Sequence, residues 1–143
     1  MRTQIYDHRS GLKVVPNDIV ADVKNIIWNI NPALSKKTVS SLKESVRERL
    51  EKEGWTGEYR LDATSRITIS SYLRGVGLCF QTGNVGRIYA DLLKLQTLYT
   101  KGNIIAGIIL VPQIKTAKEL GSNRANYERL IRELPIFSQV ITM

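Results

Sequence analysis

Apolar residues recur at helical spacing in three long stretches and at strand spacing between and after them. In "PNDIVADVKNIIWNI", Ile19, Val23, Ile26 and Ile30 share one helical face, and Asn17 or Asp18 is placed to cap it. "NPALSKK" breaks the pattern. A second helix follows in "TVSSLKESVRERLEKEG", with Val39, Leu42, Val46 and Leu50 aligned and Gly54 as its stop. From Glu58 to Gln81 the period shortens to that of strands. "EYRLDA", "RITISSYL" and "VGLCFQ" are brief and rich in β-formers, and they hinge on Arg74-Gly75.

"NVGRIYADLLKLQTLYTKG" predicts a long helix with Asn84 as cap and Gly102 as terminator. "NIIAGIILVP" is almost wholly apolar, as expected of a strand covered on both faces. A further helix is predicted over residues 122–134, and "IFSQVITM" as a last strand. The order of helix, helix, strands, helix, strand, helix, strand implies an α/β fold, a mixed sheet with helices packed on it. At 143 residues the chain is expected to form one domain spanning 1–143, large enough to bury a core.

Charge and scarce residues narrow the chemistry. The formal net charge is +8 and the pI about 9.8, which makes nucleic acid the leading partner, since phosphates are the commonest dense anions. Arg87, Lys94 and Lys101 fall seven apart on the long helix and so form one stripe. Ser122, Asn123 and Arg124 fall in the first turn of the later predicted helix, where amide and guanidinium groups can meet phosphates and base edges. Cys79 is the lone cysteine, which excludes internal disulfides and multi-cysteine zinc sites. His8 is the lone histidine, which excludes histidine-based metal clusters and a Ser-His-Asp triad. No apolar run reaches about 18 residues and the start "MRTQIYDHRSGLKVV" has no apolar signal core, so a cytoplasmic protein with no membrane partner is expected.

"GVGLCFQTGN" followed by "RIYADLLKLQ", then "IIAGIILVP" and "GSNRANYERL", resembles the BamHI/BglII-type restriction endonucleases. "YDHRSGL" and "ERLEKEGWTGE" extend the resemblance over nearly the whole chain. It implies a restriction-endonuclease-like fold of the PD-(D/E)XK class, a mixed central β-sheet flanked by helices. It also implies a homodimer on double-stranded DNA, a short palindromic target and Mg²⁺-dependent phosphodiester hydrolysis.

Such hydrolysis needs Mg²⁺ to neutralise phosphate oxygens and to generate hydroxide, and Mg²⁺ needs converging hard oxygen ligands. On a strand, residues i and i+2 share a face, so a Glu and a Glu or Gln can serve metal and water together. Here the pair is Cys79 and Gln81. Gln81 fits the family pattern, whereas Cys79 stands in the slot of the metal-binding Glu, and a thiol is a poor ligand for Mg²⁺. A free cysteine in a strand reads first as a small buried hydrophobe.

The neighbouring aspartate slot has two placements in the resemblance. Asp62 lies 17 residues before Cys79, a spacing found in some relatives, whereas a gapless match of "ISSYLRGVGLC" puts Ser70 there. On the second, preferred placement both metal-binding carboxylates are gone. Glu58 in "GWTGE" matches a Trp-x-x-Glu of the BamHI branch and, with Asp62, is the candidate substitute metal ligand. The candidate catalytic set is therefore Glu58, Asp62, Ser70, Cys79 and Gln81. The candidate DNA contacts are Asn84, Arg87, Lys94, Ser122, Asn123 and Arg124. The expectation is a duplex-DNA-binding member of this family with weak or no hydrolysis. The alternative is an active Mg²⁺-dependent endonuclease.

Overall fold

A computed structural model describes residues 3–30 and 39–143. The break predicted at 31–37 lies outside the described residues. A short helix α1 (Gly11–Val14) leads into α2 (Asn17–Trp28), and α3 (Val39–Lys52) follows. The N-cap of α2 is Pro16, so Asn17 and Asp18 lie inside the first turn rather than capping it. Proline's fixed φ suits the entry to a helix, which is why it displaces the polar candidates. Ile19, Val23 and Ile26 of α2 pack with Leu42, Val46 and Leu50 of α3, as their spacing predicts.

Five strands follow the helical pair: β1 (Tyr59–Arg60), β2 (Thr68–Ile69), β3 (Ser71–Leu73), β4 (Val76–Phe80) and β5 (Ala106–Leu110). β1 and β2 form an antiparallel pair. β3, β4 and β5 form a mixed sheet, antiparallel between β3 and β4 and parallel between β4 and β5. Arg74 and Gly75 both have positive φ, 46° and 80°, as a two-residue hairpin turn of the primed type requires. The hinge expected there is this turn. Arg74 also reaches back to Asp18 at 2.5 Å and holds Asp18's carboxyl below its usual range.

The two faces of β4 serve different cores. Val76 and Leu78 pack with Ala106 against α2 and α3. Cys79, on the opposite face, packs with Leu95 and Leu98 of α4 (Arg87–Thr100). Close approach of α4 depends on two glycines that are register partners, Gly77 and Gly107. A methyl added to Gly77 would lie 2.9 Å from Leu95 Cδ2, and one added to Gly107 would lie 3.2 Å from Leu95 Cδ1.

β5 pairs with β4 along one edge, and both of its faces are covered as expected: Ala106, Ile108 and Leu110 pack towards α2 and α3, and Ile109 packs against α4. Two expectations need correction further towards the C-terminus. A short helix α5 (Ile114–Leu120) intervenes, and α6 spans Tyr127–Glu133, so Ser122, Asn123 and Arg124 precede the helix instead of forming its first turn. The cap of α6 is Asn126, whose side chain accepts from the Arg129 amide. "IFSQVITM" is not a strand: Leu134–Phe137 form a 3₁₀ turn with Pro135 in its first positions, and the rest turns irregularly.

Candidate active site and nucleic-acid interface

Of the candidate catalytic residues, Ser70, Cys79 and Gln81 come together where the hairpin, β4 and α4 meet. Thr56 and Tyr72 exchange bonds (Thr56 N–H to Tyr72 O, 3.0 Å; Tyr72 N–H to Thr56 Oγ1, 3.0 Å). The Tyr59–Ile69 pair of β1 and β2 lies beyond it, with bends at Gly57, Glu58 and Ser70 between the two pairings. The β3–β4 register has Ser71 opposite Leu78, so one residue further Ser70 falls opposite Cys79. The Ser70 hydroxyl accepts the Phe80 amide at 2.9 Å, which ties the two strands at this point.

Asp62 lies elsewhere. Its carboxylate binds the Thr64 amide and hydroxyl, both at 2.9 Å, and faces Lys101 at 3.9 Å. Those hydrogen bonds to Thr64 hold its carboxyl below the usual range. Lys101 follows the C-terminus of α4, whereas Gln81 bonds to Asp91, ten positions earlier and roughly 15 Å away along the axis. Asp62 is thus not brought to Gln81.

Cys79 is 1% exposed. Burial pushes its thiol up to about 12, the nearby Asp91 charge pushes the same way, and the Ser70 amide and Lys94 pull against them. The sulfur is therefore a protonated thiol at neutral pH.

Asp91 stands outside the candidate set. It is buried on α4, and its Oδ2 accepts from Gln81 Nε2 at 2.6 Å. Its Oδ1 accepts from Lys94 Nζ at 3.3 Å. Gln81 Oε1 in turn accepts the Gly83 amide at 2.9 Å. A signal was present in the sequence: Ile88, Asp91, Leu95 and Leu98 run at spacings of three, four and three, so a carboxylate occupies an apolar-stripe position.

This donor set does not fit Mg²⁺. The ion needs several hard oxygens in near-octahedral array. Here the strand supplies a protonated thiol and a hydroxyl already bonded to an amide, and both ends of Gln81 are engaged. The one buried carboxylate has both oxygens occupied, one of them by a cation. Among the described residues no group of three or more His, Cys, Asp or Glu is placed to hold a metal ion. Thr82 Oγ1, buried without a partner among the described residues, adds a single hydroxyl.

The candidate DNA contacts assemble just beyond this network. Asn84 and Arg124 form a bridge, the Val85 amide donates to Asn123 O at 3.0 Å, and the Ala125 amide donates to Gly83 O at 2.8 Å. Arg124 Nη1 donates to Thr82 O at 3.3 Å. Residues 82–87 and 121–126 are thereby fastened side by side, with Asn84, Arg87, Ser122 and Asn123 exposed. Asn84 does not cap α4, which begins at Arg87; its Oδ1 instead accepts the Gly86 amide at 2.9 Å in a turn that leads into the helix. Asn123 has a positive φ of 51°. A shallow basin beside this loop is lined by Lys118, Ser122, Asn123, Arg124, Asn126 and Arg129, and its character is basic. Of the stripe on α4, Arg87 lies exposed beside Gly83, Lys94 is held by Asp91, and Lys101 faces Asp62.

Comparison with known proteins bears on the fold and the family. The fold superposes on a crystal structure of the restriction endonuclease BglII complexed with a DNA 16-mer, with a TM-score of 0.77 and 10% identity. The match covers 98% of this chain and 71% of that one. No curated protein matches the chain in sequence. The sequence profile of the restriction endonuclease BamHI matches residues 3–142. That match takes in the hairpin, β4, α4 and the loop that docks on its head, and the chain belongs to the BamHI restriction endonuclease family.

Proposed function

We propose that this protein binds duplex DNA as a two-fold dimer on a short palindromic site and hydrolyses the phosphodiester weakly or not at all. The observation that carries this reading is the facing pair Ser70 and Cys79 beside Gln81. A hydroxyl and a buried thiol stand where metal-dependent hydrolysis requires carboxylates. Binding is supported by family membership, by the +8 charge and by the exposed Asn84, Arg87, Ser122 and Asn123. Dimerisation is inferred from the family and from the symmetry of palindromic targets.

The test combines binding and cutting on mixed plasmid and genomic DNA with Mg²⁺ or Mn²⁺. We expect salt-sensitive binding without specific cuts, and cutting only by the double variant Ser70→Asp with Cys79→Glu. Specific cutting by the unaltered protein would overturn the reading.

One observation favours a second reading. Glu58 is an exposed carboxylate between the Thr56–Tyr72 and Tyr59–Ile69 pairings, the same stretch of the hairpin that holds Ser70. If the protein cuts DNA, Glu58→Gln is expected to abolish the cutting while binding persists.

A further inference from the structure

The misfit with Mg²⁺ has a positive side, and it concerns Lys94. Two carboxylates and a divalent cation sum to zero charge. The present site reaches the same sum differently: Ser70 and the Cys79 thiol are neutral, and the Asp91 carboxylate is balanced by the Lys94 ammonium. Asp91 cannot swing away, because it is buried and its other oxygen is held by Gln81 at 2.6 Å. The ammonium is therefore anchored beside the strand position from which the family works on phosphate.

Lys94 is also presented for use. Its side chain is 28% exposed, and among the described residues its hydrogen-bond acceptor is Asp91. An ammonium has three protons, so two remain for solvent or an anion. Arg87, one turn before Asp91 on the same face, has its side chain packed at Gly83 close to Gln81 Oε1. The head of α4 thus carries two cations on the side of the Gln81 network.

We propose that Lys94, fixed by Asp91 and Gln81, is a built-in phosphate anchor that replaces the metal ion, so that DNA binding by this protein is independent of divalent cations. This rests on the DNA-binding reading above. In a site with two bare carboxylates, removing the metal leaves negative charge facing the DNA backbone and weakens binding. Here the counter-charge is covalently part of the chain. Asp91 is a positioning residue, and Lys94 is the group that meets phosphate.

The experiment measures affinity for duplex DNA, over a series of salt concentrations, in EDTA and in Ca²⁺. The expected result is equal affinity in the two, within about two-fold. Lys94→Gln should weaken binding about ten-fold and reduce the magnitude of the salt slope by about one, with Lys94→Arg restoring most of both. The EDTA and Ca²⁺ comparison needs no variant, so it stands even if Lys94→Gln folds poorly. Binding tightened ten-fold or more by Ca²⁺, or a Lys94→Gln protein with unchanged affinity and slope, overturns the anchor and leaves the DNA-binding reading intact. No salt-sensitive binding in either buffer overturns both.

Discussion

Two regions a few residues apart, at the C-terminal end of β4, handle their polar groups in opposite ways. Around Ser70, Cys79, Gln81 and Asp91 the polar groups satisfy one another, and the network is closed over by α4. In the paired loops 82–87 and 121–126, backbone bonds do the fastening and the side chains of Asn84, Ser122 and Asn123 are left exposed. The changeover takes three residues, from Gln81 to Asn84. The difference teaches that the proposed DNA-contacting loops and the strand end beside them are separately supported. A chain can satisfy its strand end internally, without a metal, and still hold the adjoining loops in register.

This contrast predicts that changes in the closed region act on stability, whereas changes in the loops act on affinity. The largest effect is expected at Leu95, which is fully buried and packed over Gly77 and Gly107. Leu95→Ala should cost about 3 kcal/mol of stability in urea unfolding, from lost burial and the cavity left behind. A cost well under about 1 kcal/mol would mean that α4 is not clamped to the glycine pair as described.

Next, when taken per pH unit, is the alkaline limb of the stability profile. The thiol of Cys79 has its folded pKa raised to about 12 against a reference of 9.0. Above pH 9 the unfolded chain releases this proton and the folded protein keeps it, so stability should fall as pH rises from 9 towards 12, by about 1.4 kcal/mol per unit from this group. The contribution is fully present below pH 9. Cys79→Ala should flatten that part of the profile, and an unaltered slope in the variant would assign the effect to other groups.

Loop substitutions should have the smallest effects on stability. Ser122→Ala should leave it within about 0.5 kcal/mol while weakening DNA binding about three- to ten-fold, as loss of one hydrogen bond would. Asn123→Gly relieves a positive φ and should stabilise by up to about 1 kcal/mol while still losing affinity. If either variant instead unfolds the protein as Leu95→Ala does, the two regions are not separate.

Much of this was legible in the sequence, for reasons that can be stated residue by residue. The faces of α2, α3 and α4 follow the 3.6-residue period, because each packs one stripe against the sheet or a neighbouring helix. The turn at Arg74-Gly75 was legible because glycine marks positive φ. The short α5 was not: in "IKTAKEL" it buries only Ala117, too little to set a period. The tail "IFSQVITM" alternates like a strand, yet Pro135 and the packing of Ile141 with the head of α4 turn it back on itself.

At the site, the pairing of Cys79 and Gln81 on one face followed from strand geometry alone. The choice between Asp62 and Ser70 did not, because spacing along a chain cannot tell which way a hairpin folds. The observed β3–β4 register lays Ser70 beside Cys79. Asp91 was hidden for a different reason. A carboxylate on a charged helix reads as solvated surface, and only its place between Ile88 and Leu95 marks it as internal.

The most direct test of the central claim sets binding and cleavage side by side on one DNA pool in Mg²⁺, with the unaltered protein and the Ser70→Asp, Cys79→Glu double variant. The account predicts that both bind and that only the variant produces discrete fragments. Discrete fragments from the unaltered protein, at a rate that the double variant does not exceed, would contradict it.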